Sequence, residues 1–236
     1  MVAVAAGSAT GCASRCQPYE SLHPTKPLPP YLTNKYKLTE PWQSILEIAR
    51  RTPSPHNTQP WKLNIRDERR VDLYLDHARA LPGEDVTGCF IVCSLGMFAQ
   101  AFCLVASNLG VNVVFHQDMK IQEAVGVFRM GWFELKKTAP AKSPFSNELF
   151  LQRQTSRLQL SSELLSEGEL ATLSSITEKS NHRLLYFSDP DLINSLLHAN
   201  IDALVEDMND CTYRDEVVRW FRYDRSEAES KKDGLS

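Results

Sequence analysis

The sequence has 236 residues, of which 42% are hydrophobic and 23% charged, so it can bury the core of one or two globular domains. Its formal net charge is −3, and no run of Lys and Arg exceeds two residues. Affinity for polyanions depends on an excess of cations on one face. We therefore expect neither a nucleic-acid partner nor binding to an anionic membrane surface.

The six cysteines, at positions 12, 16, 89, 93, 103 and 211, show no spacing typical of a metal site. Three of them lie in one apolar segment, so we expect structural, mostly reduced thiols and no bound metal. VAVAAGSATGC is similar to the end of a bacterial lipoprotein signal, although it lacks a basic start and a full-length apolar region. A cytoplasmic location is the main expectation; pairing of Cys12 with Cys16, or lipoprotein-like anchoring at Cys12, remains open.

The first predicted elements are an arm, a helix and a hairpin. Residues 1–38 show no periodicity and are proline-rich, which predicts an extended arm. Thr39, Glu40 and Pro41 form a helix-start signal, and the apolar spacing that follows predicts an amphipathic helix of about three turns. After residues 53–61, PSPHNTQPW, the segments WKLNI and VDLYLD alternate apolar and polar residues around DERR, which predicts two paired strands.

No charged residue occurs from Gly88 to Phe115, and this segment is long enough to cross a membrane. It contains Ser94 and Gln100, has no cluster of Lys and Arg at either flank, and is followed by Gly110 in a C-cap position. A helix that is apolar all round is also typical of the centre of a soluble core or a dimer interface. We therefore favour a buried helix over residues 89–109 and expect no membrane span.

Further strands are predicted in VNVVF and AVGVFRMGWFELK, and a helix start or linker in AKSPFSN. Capped amphipathic helices are predicted in SSELLSEGELATLSSI and DPDLINSLLHANIDALVEDM, on either side of a short strand, RLLYF. A last helix, YRDEVVRWFR, precedes the polar tail RSEAESKKDGLS. This order of elements indicates an α+β layer fold.

The sequence contains no GxSxG elbow, Walker loop, GxGxxG loop after a strand or HExxH helix, which disfavours the corresponding enzyme classes. Two unusual segments remain. In PSPHNTQPW, three prolines fix φ and reduce the entropy of ordering a loop rich in hydrogen-bonding groups. In RQTSR, Arg153 and Arg157 are four residues apart, so at a helix start they would project from the same side, with the Thr155 hydroxyl between them, and suit a phosphate dianion.

These segments resemble a known family. ILEIARRTPSPHNTQPWKLNI is similar to the APSxHNTQPW segment of the FMN-dependent nitroreductase superfamily, and LFLQRQTSRLQL is similar to the RRTxR opening of the second half in its Acg-like branch. The resemblance implies a nitroreductase-like fold, with an antiparallel or mixed sheet packed by helices around a long buried central helix. It divides the chain into the arm, a first half over 39–142 and an incomplete second half over 143–236, about a hundred residues short.

The resemblance also implies the site. In the loop, the residues that would line the isoalloxazine or ribityl part of FMN are Ser54, His56, Asn57 and Gln59. The residues that would clamp the phosphate are Arg153, Thr155 and Arg157, and loop and clamp would meet in one flavin site per chain. Gln154 departs from the family pattern, in which this position is commonly basic. With no nearby carboxylate in the sequence, His56 is expected to be a hydrogen-bonding wall residue, and Trp61 a core residue.

The implied activity is transfer of hydride from NAD(P)H through the flavin to a small-molecule acceptor such as a nitroaromatic or a quinone. No side chain is expected to act as a catalytic acid or base. Two alternatives remain open: a non-catalytic FMN-binding or storage protein of the same fold, and an inactive fragment that serves as an interaction surface. The two motifs alone also fit a rigid turn and an exposed basic turn. Formation of a homodimer remains open as well.

Overall fold

The computed structural model describes residues 39–122, 127–155, 163–178 and 184–235. The chain divides into two compact units, one formed by Met1–Arg153 with Cys211–Ser236 and the other by Gln154–Asp210. The boundary between the two family-like halves near residue 143 stays a prediction, and the arm over residues 1–38 lies outside the described residues.

In chain order the described helices and strands are α1 Trp42–Ala49, β1 Trp61–Asp67, β2 Arg70–Leu75, α2 Cys89–Asn108, β3 Val113–Gln122, β4 Val127–Leu135, α3 Asn147–Gln152, α4 Glu167–Glu178, α5 Pro190–Asn209, α6 Cys211–Arg219 and α7 Arg225–Lys231. Short 3-10 turns occur at Pro55–Asn57 and His77–Arg79. This content confirms the α+β class. The helix predicted after Pro41 is present, but it is two turns long and not three.

The sheet has four strands in the order β1-β2-β4-β3, and every neighbouring pair is antiparallel. The predicted hairpin is confirmed, with Leu63 opposite Leu73 across β1 and β2. On the other edge, Phe115 lies opposite Phe133. One face of this sheet is covered by α2, and the apolar side chains between the two layers form the core of the first unit.

Helix α2 packs one apolar face against this sheet. Phe98 and Phe102 are fully buried, and the Phe102 ring stacks on Phe133 with a centroid distance of 4.3 Å. Trp61 stacks on Phe98 at 4.5 Å, which agrees with the expected core role of Trp61. The helix has the length and hydropathy of a membrane span, yet half of it is buried inside the protein. Gly110 follows it with a φ of 78°, a left-handed conformation typical of a residue that ends a helix.

One local prediction is wrong and another stays untested. RLLYF was expected to be a strand, but residues 184–187 have no regular secondary structure, because no strand among the described residues pairs with them. RQTSR was expected at a helix start, and this stays a prediction because residues 156 and 157 lie outside the described residues; within the described residues, α3 ends just before RQTSR. Arg153 has a ψ of 128°, outside the helical region, and Gln154 and Thr155 are also non-helical.

The polar tail contains structure that the sequence reading missed. Asp224 accepts a hydrogen bond from the Glu227 backbone N–H and caps α7. After α7 the chain turns back, and Leu235 pairs with Phe221 in a parallel bridge. Gly234 has a φ of 78°, and a Cβ there would lie 2.4 Å from the Trp220 carbonyl oxygen, so only glycine fits this position.

Among the four described cysteines, Cys211 departs from the expectation of reduced thiols. Cys211, at the first position of α6, is disulfide-bonded, whereas Cys89, Cys93 and Cys103 are free. Burial raises the pKa of the Cys103 thiol to about 11, so this thiol stays protonated and unreactive at neutral pH. Two cysteines form a disulfide only when they lie close together in the folded protein, and their spacing in the sequence does not give that distance.

Replacing Phe98 with Ala should destabilise the protein by about 3–5 kcal/mol, because it leaves a cavity between α2 and the sheet. Chemical denaturation measures this loss as a shift of the unfolding midpoint. Phe90→Ala is the matched control in the same helix, since Phe90 is 54% exposed. Equal losses in the two variants would contradict the placement of α2 on the sheet.

Candidate functional site

The loop over residues 53–61 has an unusual backbone. His56, Asn57 and Gln59 have φ angles of 44°, 52° and 51°, in the left-handed region that L residues with side chains rarely adopt. Each such residue costs on the order of 1–3 kcal/mol unless its surroundings hold it. Three of them within four positions therefore require strong local support.

Part of that support comes from the loop itself. The Ser54 hydroxyl accepts a hydrogen bond from the Gln59 backbone N–H at 2.9 Å, and the Ser54 carbonyl accepts one from the Asn57 N–H at 3.0 Å. The Thr58 N–H donates to the Pro55 carbonyl at 2.9 Å, which closes the 3-10 turn. Ser54 is thus a structural anchor of the loop.

The rest of the support comes from residues 232–234, beyond α7. The Asn57 side-chain amide donates to the Gly234 carbonyl at 3.3 Å, and the Gly234 N–H donates to the Asn57 carbonyl at 3.2 Å. The Gln59 side-chain amide donates to the Lys232 carbonyl at 2.6 Å. Two of the four predicted loop side chains therefore hold the tail of the chain.

His56 belongs to a cluster of three ionisable groups, which corrects the expectation that no carboxylate orients it. Its Nε2 is hydrogen-bonded to the Glu84 carboxylate. The backbone N–H of Glu84 donates to Glu216 Oε2 at 2.9 Å, and the N–H of Gly83 donates to the same oxygen at 3.1 Å. The loop, the turn before α2 and helix α6 are joined through these contacts.

The Glu216 carboxylate is almost completely buried, with 1% of the residue exposed. Burial raises the pKa of Glu216, and the nearby Glu84 charge raises it further, whereas the two backbone donors and His56 lower it. The net direction is upward. The Glu216 carboxyl group is thus shielded from water, and it contacts the backbone of Glu84, the residue that is hydrogen-bonded to His56.

The predicted phosphate clamp is only partly placed. Arg153 Nε donates to the Arg51 carbonyl at 2.9 Å, so this side chain lies beside the start of the loop. Thr155 belongs to the second compact unit, and Arg157 lies outside the described residues. The structure therefore brings Arg153 to the loop, and the roles of Thr155 and Arg157 stay predictions.

A cavity of about 350 Å³ adjoins the loop. Its lining combines apolar side chains, an amide and several charged groups: Leu46, Glu47, Arg50, Gln59, Trp61, Lys62, Leu63, Ile65, Arg79, Lys231 and Asp233. Of the predicted loop residues, Gln59 is the one in this lining. A larger cavity of about 1000 Å³, lined by residues such as Trp42, Arg70 and Trp132, contains none of the predicted site residues.

Arg79 is a contact residue that the sequence reading missed. Its Nη1 donates to the Thr58 carbonyl at 2.8 Å and to Asp233 at 2.9 Å, so it joins the loop to the tail. The Thr58 hydroxyl is buried and has no hydrogen-bond partner among the described residues. The only sequence signal was a polar residue in a short turn after β2, which is too common to single out Arg79.

No group of three His, Cys, Asp or Glu side chains that could hold a metal ion occurs in the part of the chain that the structure describes. The candidate site combines amides, backbone groups and cations with the carboxylates of Glu47, Glu84 and Asp233. The amides, backbone groups and cations recognise polar ring edges and anions.

The chain matches no protein-family model and no curated protein. Among solved structures it is similar to a protein from Clostridium acetobutylicum named "Putative NADH Oxidase", with 15% sequence identity and a TM-score of 0.35. The similarity covers 55% of this chain and 90% of the other. A TM-score this low does not establish a shared fold, so the nitroreductase-like topology stays a proposal.

The raised pKa of Glu216 predicts a pH dependence of stability. Above the ordinary value of 4.5, the folded protein retains the proton more tightly than the unfolded chain does. The free energy of unfolding of the wild type, relative to that of Glu216→Gln, should therefore fall as pH rises from 4.5 through the raised pKa. Urea denaturation at a series of pH values measures this difference.

Glu229→Gln, at an exposed carboxylate of α7, is the control for loss of a negative charge. A difference curve for Glu216→Gln that stays flat or rises across this pH range would show that Glu216 is not a desolvated acid.

Proposed function

We propose that the protein is an FMN-dependent oxidoreductase that passes hydride from NAD(P)H to a nitroaromatic or quinone-like acceptor. The observation that carries this proposal is the loop over residues 53–61, where three non-glycine residues adopt left-handed backbone inside a motif that resembles the flavin loop of the nitroreductase superfamily. Backbone strain of this kind is concentrated at ligand-binding and catalytic sites.

The cavity beside the loop suits part of a flavin. Its volume of about 350 Å³ falls in the range of small-molecule sites. Trp61, Leu63 and Ile65 provide apolar surface for a flat ring, and Gln59 provides hydrogen-bonding groups for the ring edge. Arg50 and Lys62 add positive charge, which tunes the electronics of a bound flavin.

When bound, FMN supplies the hydride chemistry itself. The part of the protein is to bind and orient. Because the side chains of Ser54, His56 and Asn57 are bonded within the chain, we assign them the role of fixing the loop. The Gln59 amide also bonds within the chain, to the Lys232 carbonyl, but Gln59 is the predicted loop residue that lines the cavity. We therefore assign its side chain and the loop backbone to face the ring. We assign no side chain as a catalytic acid or base.

The proposal is tested by incubating the full chain with excess FMN, removing free ligand and recording the absorbance between about 350 and 500 nm, where flavins absorb. We expect stoichiometric FMN that NADPH or NADH bleaches without oxygen and that a nitroaromatic or quinone reoxidises. A colourless protein would contradict the proposal. Bound FMN that neither nicotinamide reduces would support the storage alternative instead.

Arg153→Ala should weaken FMN binding by about tenfold or more, because it removes a charge-assisted contact to the phosphate and loosens the base of the loop. Flavin fluorescence titration measures the dissociation constant. Arg214→Ala is the control, since Arg214 is an exposed side chain of α6 beside Asp215. Unchanged affinity in Arg153→Ala would remove Arg153 from the proposed clamp.

A further inference from the structure

A third cavity, of about 480 Å³, lies where the turn after β2 meets two segments from residues 219–233. Its lining comes from the turn after β2, from α6 and the residues after it, and from the end of α7: Ala78, Arg79, Arg219, Trp220, Arg222, Lys231 and Asp233. Four of these residues are cations and one is an anion, although the chain as a whole has a net charge of −3. Positive charge is therefore concentrated at this place.

A buried ion pair holds the cations in position. Asp233 accepts hydrogen bonds from Arg222 Nη2 at 2.6 Å and from Arg79 Nη1 at 2.9 Å. The side chains of Arg222 and Asp233 are 5% and 10% exposed. Asp76 and Glu227, which are not lining residues, also pair with Arg79 and Lys231. Four cations against three carboxylates leave an excess of one positive charge. An anion would relieve their mutual repulsion.

Three of these cations lie around the Trp220 ring. The guanidinium groups of Arg79, Arg219 and Arg222 lie 5.9, 5.7 and 5.7 Å from its centroid. Attraction between each cation and the ring offsets part of the repulsion and keeps the three groups around one point. In addition, the Trp220 Nε1–H is buried and has no hydrogen-bond partner among the described residues. Such an unsatisfied donor is uncommon and calls for an explanation.

We propose that this cavity binds the phosphate dianion of a small phosphorylated ligand. Guanidinium groups match phosphate oxygens with paired N–H donors, and a lysine adds a mobile point charge. Arg219 and Lys231 are exposed, and Arg219 donates to the Ala78 carbonyl at 3.5 Å, a long contact that an entering anion would replace with a charge-assisted one. Lys231 pairs with Glu227 on the surface of α7, and exposed pairs of this kind are weak enough to be exchanged.

The organic part of the ligand has a place next to the phosphate. The cavity beside the loop shares Arg79, Lys231 and Asp233 with the phosphate cavity, and its other walls include Trp61 and Leu63. The ligand class is therefore a phosphate monoester with an apolar or flat organic group. This inference goes beyond the proposed function, because it requires neither a flavin nor a redox reaction.

The test is calorimetric titration of the full chain with inorganic phosphate at low ionic strength. We expect saturable binding that is about tenfold or more weaker in Arg219→Ala/Lys231→Ala, which loses two charge-assisted donors. Arg214→Ala/Arg225→Ala removes two cations from the same two helices but outside the cavity, and should bind within about twofold of the wild type. All four side chains are exposed, and equal thermal unfolding midpoints verify that both variants fold.

Absence of saturable phosphate binding by the wild type, or equal weakening in the two double variants, would overturn the inference. Competition then identifies the source of the phosphate. Displacement of phosphate by FMN and not by riboflavin supports the site as the one that receives flavin phosphate, in place of the clamp proposed at Arg153. Displacement by neither supports the site for another phosphorylated ligand. Displacement by riboflavin as well would show that the phosphate group is not what the cavity recognises, which also overturns the inference.

Discussion

The structure of the candidate site depends on the contact between the loop over residues 53–61 and the residues that follow α7. Asn57 and Gln59 would be unstable in left-handed backbone if the loop stood alone. Both side chains form hydrogen bonds to the segment after α7, Asn57 to Gly234 and Gln59 to Lys232, and the Asn57 carbonyl also accepts one from Gly234. These hydrogen bonds hold the loop in this conformation. Gly234 permits the close approach because a Cβ at this position would collide with the Trp220 carbonyl.

This contact explains why local strain and a charge cluster occur together. The segment after α7 that supports the loop also contains Asp233, which accepts hydrogen bonds from Arg79 and Arg222. Lys231, at the end of α7, lines both cavities. A second set of contacts involves α6. Its Glu216 accepts a hydrogen bond from the backbone N–H of Glu84, and the Glu84 side chain is hydrogen-bonded to His56 of the loop. The loop is therefore held from two sides by elements from the far end of the sequence.

Much of the first unit could be predicted from the sequence because its signals are local. Alternating residues defined β1 and β2, and an apolar segment without charge defined α2. RLLYF has the composition of a strand, yet residues 184–187 pair with no strand in the described part of the chain, and strand formation depends on a neighbouring strand. Helix α7 was missed because its residues are polar all round, although Asp224 followed three positions later by Glu227 is a capping signal that could have found it.

The contacts of the site were less predictable for a physical reason. Arg79 and Asp233 are 154 positions apart, and His56 and Glu84 are 28 apart, so no spacing rule connects them. A search for runs of basic residues finds cations that are adjacent in the sequence. It does not find the three arginines that come together around Trp220 only in the folded protein. The loop motif itself was recognisable because its prolines and amides are adjacent in the sequence.

Amide hydrogen exchange, read by mass spectrometry on peptides that cover residues 53–61 and 232–235, tests the central contact most directly. The Gly234 and Leu235 N–H groups donate to the carbonyls of Asn57 and Trp220, and the Gln59 N–H donates to Ser54. We predict that both peptides exchange slowly, in the same range as the hairpin of β1 and β2. Exchange of either peptide at the rate of an unstructured chain would contradict the account.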